Sequence, residues 1–178
     1  MKNIEILQSK GIQFDNGLSI DEIKQIEQLY EIVFPEELKS LYMSFLPISN
    51  GFYLWRDFSS SNIQSIRNMI EMPFKEMENE INDIEWSENW GEEPLGYERN
   101  EKIRQKLKTA PKLIPIYFHR YIASGNLECS PVFSVHGTDI IYYGENLNQY
   151  LEIEFAGRPY EDIDYKQIHQ IPFWSEII

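Results

Sequence analysis

Apolar residues recur at helical spacing along the first half of the chain. Ile20, Ile23, Ile26, Leu29 and Tyr30 fall on one stripe and predict a helix over 19–30. Ser19 stands at its start with Glu22 three residues on, the pattern of a capping box. Pro35 suits the first position of a second helix, and Glu36 and Glu37 suit its positive end. Leu38, Leu41, Tyr42, Phe45 and Leu46 give that helix an apolar face, and Pro47 stops it. Two helices so closely joined are expected to pack as a pair. Asn50-Gly51 predicts a turn, and 52–55 (Phe-Tyr-Leu-Trp) a strand after it. Ile63, Ile66 and Ile70 predict a third helix over 61–71. Phe74, Met77, Ile81 and Ile84 predict a fourth beginning at Pro73, whose other face carries Glu76, Glu78, Glu80 and Asp83.

The period then changes. A loop with Trp86 and Trp90 leads to a short helix around 99–108, and 113–118 reads as an apolar strand. Segments 131–135 and 140–143 flank His136-Gly137-Thr138-Asp139, a four-residue turn, and predict a hairpin. A helix resumes near Asn146 with Leu147, Tyr150 and Leu151 inward. Ile171-Pro172-Phe173-Trp174 forms a terminal apolar knot expected to pack back on the core. Helices first and a hairpin-connected sheet later predict an α+β fold, a mostly antiparallel β-sheet flanked by helices. Without repeats or a linker, residues 1–178 read as a single domain with its core at about 19–178.

Charge sharpens this picture. The net charge is −13, and residues 71–102 alone carry 11 acids against 3 bases. Direct binding to nucleic acid is not expected, because neutralising phosphates needs a basic face. The imbalance suits steering toward a basic protein. No apolar run approaches the roughly 20 residues that span a bilayer, and no membrane partner is expected. The amino terminus lacks the apolar stretch of a secretory signal. The single Cys129 excludes an internal disulfide and reads as a passive, partly buried thiol. A cytoplasmic location follows as the expectation.

Little in the sequence argues for catalysis. His119, His136 and His169 lack metal-ligand spacing, and no phosphate-cradling or nucleophile-elbow motif occurs. Neither a metal, a cofactor nor a catalytic residue is assigned. His119-Arg120-Tyr121 invites a phosphate-acting reading. Strand alternation instead puts His119 and Tyr121 on one face and Arg120 on the other, paired with Asp139 or another acid. Glu92-Glu93 beside Trp86 and Trp90 raises a small hydrolase of the glycosidase kind, but adjacent carboxylates seldom face each other across a substrate. Trp55, Trp86, Trp90 and Trp174 are all large aromatics of the kind that cores take up, and the alternative for Trp86 or Trp90 is a place at a rim. Trp86 or Trp90 is the candidate anchor for a partner, since interface hot spots favour Trp and Tyr.

The order of several features resembles the SUKH superfamily, which holds fungal cell-wall assembly regulators and many bacterial immunity proteins. These features are Phe34-Pro35-Glu36-Glu37-Leu38, Asn50-Gly51, Trp86, Trp90-Gly91, the run from Leu113 through Ile122, Pro131-Val132-Phe133-Ser134-Val135, the run from Thr138 through Gly144, and Ile171-Pro172-Phe173-Trp174. The stretch 113–144 is its most specific part. The resemblance implies a toxin-neutralising role without cofactor or catalysis, the partner being a basic toxin with a nuclease domain as the expected class. The candidate contact residues are Glu76, Glu80, Asp83, Trp86, Glu88, Trp90, Glu92 and Glu93. A regulatory or scaffold protein is the alternative reading, and a small hydrolase the third.

Overall fold

The computed structural model describes residues 2–178. In chain order it contains α1 (Lys2–Ser9), β1 (Phe14–Asn16), α2 (Ile20–Tyr30), α3 (Glu36–Ser44), β2 (Phe45–Pro47), α4 (Ser60–Asn79), α5 (Tyr97–Thr109), β3 (Leu113–Tyr117), β4 (Arg120–Ala123), β5 (Val132–His136), β6 (Asp139–Gly144) and α6 (Leu147–Ala156). Strands β3-β4-β5-β6 form an antiparallel meander, and β1 pairs with β2 in a separate two-stranded ribbon. The expected α+β class is therefore observed. Among the described residues no helix is long and apolar enough to cross a membrane.

The meander is buried on both faces. Alternate residues of a strand point opposite ways. Ile114, Ile116, Ile122 and Val132 thus join one apolar cluster with α2, α3 and α6. Leu113, Tyr121, Phe133 and Val135 join a second with Met77, Ile103, Leu107, Phe173 and Trp174. Pro115 lies in β3, at the edge of the sheet, where a missing N–H costs least. The long helix α4 packs along that strand. It contributes Ile66 and Ile70 to the first cluster and Met77 to the second.

Several expectations are corrected. The third and fourth predicted helices are one helix running through Pro73. A proline inside a helix strips the carbonyl four residues earlier of its N–H partner. That carbonyl is Met69 O, and the Tyr121 hydroxyl donates to it at 3.2 Å. Ile81 and Ile84 are buried as predicted, but they follow the helix rather than belong to it. Phe45 and Leu46 leave α3 for the ribbon, where Phe45 meets Phe14 edge-on at 5.0 Å. Residues 52–55 form no strand. Phe52 makes a single bridge to Tyr117, and Trp55 is buried against Tyr30, Phe34 and Tyr42. The core also reaches before residue 19, because α1 packs on α6 with Leu7 fully buried.

Other expectations hold. Ser19 and Glu22 form the capping box of α2. Asn146 caps α6 by accepting from Gln149 N. The hairpin turn narrows to two residues, since His136 and Asp139 are paired and Gly137-Thr138 connects them.

A candidate protein-interaction surface

The acidic stretch divides into acids used inside the molecule and acids left free. Glu76 and Glu80 lie one helical turn apart and point at the β5–β6 turn. Glu76 Oε2 accepts from Gly137 N at 3.1 Å, and Glu80 Oε2 accepts from Thr138 N at 3.0 Å. These carboxylates hold α4 to the hairpin. Gly137 has φ +61°, a conformation that favours glycine, and a Cβ there would push the flexible end of Glu80 aside from its bond to Thr138 N. Glu78 and Glu101 both pair with Arg104, at 2.6 and 2.8 Å. Glu93 pairs with Arg99 at 2.6 Å, and Arg99 also donates to Ile84 O and Ile81 O. Arg99 thereby ties the loop to the turn that ends α4. Glu71 pairs with Lys75 at 2.7 Å.

Five acids of the stretch remain: Asp83, Glu85, Glu88, Glu92 and Glu98. All are exposed, and none has a side-chain partner among the described residues. They fall within residues 83–98, so the free negative charge collects on the connection between α4 and α5 rather than along α4. The expected strip of Glu76, Glu80 and Asp83 is therefore not one free face.

The tryptophans of the loop are partly taken up by the core and partly left at its rim. Trp86 and Trp90 are half-buried and meet edge-on at 5.3 Å. Trp90 stacks on Phe173 at 6.0 Å, and its Nε1 donates to Glu176 Oε2 at 2.5 Å. Trp86 Nε1 donates to Gly91 O at 2.8 Å. The two rings thus join the loop to the C-terminal segment. Their outer edges, with Lys102 and Lys106 over them at 5.9 and 5.8 Å, border an open groove of about 430 Å³.

The exposed apolar side chains of this region are Leu95, 91% exposed, and Tyr97, 76% exposed. They flank Gly96, whose φ of +57° turns the chain into α5. Sequence reasoning missed both. The available signal was Pro94-Leu95-Gly96, a leucine between two turn residues that belongs to no apolar stripe.

The other candidate chemistry is dispersed. Glu93 is held by Arg99 while Glu92 is free, so the two adjacent carboxylates do not act as a pair. His119 lies exposed in the β3–β4 turn, not on the face of the buried Tyr121 as the alternation argument placed it. Its side chain contacts the Arg120 guanidinium. Burial, and after it the Arg120 charge, hold the imidazole below its ordinary pKa. Arg120 pairs with Glu154 at 3.1 Å rather than with Asp139. Cys129 is exposed as a residue, while partial burial of its sulfur, and after it Glu37, push the thiol pKa up. Comparison with known proteins finds no match: no family model, no curated protein and no solved structure aligns with this chain.

Proposed function

We propose that this protein is a non-catalytic, immunity-type binding protein that occupies a basic partner through residues 83–98. One observation carries the reading: within residues 83–98 five exposed, unpaired acids share one short segment with two exposed apolar side chains, Leu95 and Tyr97. Free carboxylates steer a cationic surface into encounter. An aromatic and an aliphatic group at the centre of the patch then provide the desolvated anchor that hot spots require. A nuclease toxin is the partner class that fits. It must carry Lys and Arg to hold phosphate, and an acidic loop competes for the same groups. The resemblance of 113–144 to SUKH immunity proteins points the same way. Cytoplasmic residence belongs to this proposal.

Coexpression with the large reading frame beside its gene tests the reading, scored by survival and by co-purification. Protection is expected, with association that slows steeply as salt rises. The variant E88K/E92K/E98K is expected to lower the association rate at least tenfold, and Leu95→Ala with Tyr97→Ala to speed dissociation. Full protection by both variants would overturn the assignment of this surface. Co-purification without protection would favour the scaffold reading.

A further inference from the structure

The cations of this acidic chain are also gathered. A groove of about 710 Å³ runs between the end of α2, the middle of α4 and the end of α5. Leu29, Ile70 and Phe74 give it an apolar floor, and Arg67, Lys75, Lys108 and Lys112 surround it against only Glu31 and Glu71. Two of these cations are fixed by the fold. Arg67 donates to Leu29 O at 3.2 Å, and Lys112 to Tyr30 O at 3.1 Å, where α2 leaves its last carbonyls unpaired. Lys75 is held only by its exposed pair with Glu71, and Lys108 has no ion pair among the described residues. Lys75, and at longer range Lys112 and Arg67, hold the Glu71 carboxyl below the usual range, as an electropositive groove should.

The same chain presents the complement of this groove. Glu92 and Glu98 are free, and Leu95 and Tyr97 stand exposed between them. We propose that the groove receives the 92–98 loop of a second copy, so that the protein pairs with itself. Leu95 and Tyr97 meet the apolar floor, and the two glutamates meet Lys75 and Lys108. Loop and groove lie at opposite ends of α5, whose 13 residues span about 20 Å. Two copies with their α5 helices antiparallel about a twofold axis place each loop over the other's groove. That contact closes at two copies. The net charge of −13 opposes the pairing. A screening length of about 8 Å at physiological ionic strength confines the interaction to the local, opposite charges. The inference shares its loop with the proposed function but not its partner.

Sedimentation and light scattering of the full chain at physiological salt, over a wide concentration range, are expected to show a monomer–dimer equilibrium. K75E/K108E reverses the groove and E92K/E98K reverses the loop, and each alone is expected to weaken pairing at least tenfold. All four positions are exposed, so unchanged thermal unfolding serves as the folding control. Mixed together, the two variants have both contacts complementary again and are expected to form a heterodimer. A chain that stays monomeric, a dimer indifferent to either reversal, or a mixture that fails to pair overturns the proposal. If a synthetic peptide of residues 88–98 binds a chain that stays monomeric, the groove belongs to an acidic segment of another protein and self-pairing is refuted. K75E/K108E leaves the loop intact, so its protection against the toxin reports on the proposed function separately.

Discussion

Truncating Arg120 to alanine tests whether the His119-Arg120 pair is packing or chemistry. The guanidinium lies beneath α6, with its side chain 12% exposed and that of Glu154 20% exposed. Nε pairs with Glu154 at 3.1 Å, Nη1 donates to Ser134 Oγ at 2.9 Å, and Cζ sits 3.9 Å from the centre of the Tyr143 ring. Ser134 is the cross-strand neighbour of Arg120 and Tyr143 lies in β6, so the three contacts join β4 to β5, β6 and α6 at one point. A hydrogen bond to a charged group contributes about 1.5–3 kcal/mol, and a partly desolvated cation–π contact about 1–2. Removing the arginine also leaves Glu154 without its countercharge in a mostly buried position. Residual exposure offsets part of this, and a loss of about 3 kcal/mol is expected for Arg120→Ala, or roughly 6–12 °C in Tm for a chain of this size. Arg120→Lys should recover part of it, since lysine keeps the charge but not the fork. Urea unfolding of Arg120→Ala, Glu154→Gln and the double variant gives the coupling between the two groups, expected above about 1 kcal/mol. A loss under about 0.5 kcal/mol would refute the packing argument. Undiminished stability with abolished function would move Arg120 into a reacting site.

Two further outcomes follow from titrating groups. Arg56 donates to Glu22 at 2.7 Å and to Asp15 at 2.6 Å, and it also binds the carbonyls of Asn16 and Gly17, tying β1 to α2. Arg56, and after it the Ser19 backbone, lower the Glu22 pKa from 4.5 to about 2. A lowered folded-state pKa gives stability that is fully present above pH 4.5 and lost as pH falls toward about 2. Acid unfolding of Glu22→Gln should therefore be less steep in that window, and molar salt should narrow its difference from the parent. Identical acid profiles would refute the linkage. Cys129, though exposed, should alkylate slowly at neutral pH, because burial of its sulfur and Glu37 hold the thiol protonated. Glu37→Gln should speed the reaction, and an unchanged rate would show that Glu37 does not control it.

Elements whose apolar periodicity matched their own burial were readable from the sequence. Helix α2, with its Ser19–Glu22 box, and the β5–β6 hairpin appeared close to where they were expected. The misread elements were decided by a distant partner. Pro73 reads as a helix start, and only the Tyr121 hydroxyl, 52 positions away, allows it to sit inside one. Phe45 and Leu46 fit a helical stripe as well as a strand, and β1 settled the choice by supplying backbone partners. Trp55 lies in a β-prone run, yet a ring of aromatics from α2 and α3 was a better burial site than a ladder. Local pattern cannot register these long-range choices.

The candidate surface was legible in its sign and its place but not in its members. Counting charge located the 71–102 segment, because composition needs no partner information. It could not separate Glu80, spent on Thr138 N, from Glu88, spent on nothing. Nor could it show that Trp90, one of the two candidate anchors, stacks on Phe173 from the far end of the chain. Large aromatics are drawn into whatever core lies within reach, and here the C-terminal segment takes up Trp90, on which Trp86 packs edge-on. The smaller Leu95 stays outside, next to Gly96, whose φ of +57° turns the chain into α5. The surface proposed for a partner therefore rests on exposure rather than on ring size. Exposure selects Leu95, at 91%, and Tyr97, at 76%, the two positions at which alanine should weaken the association proposed for this loop.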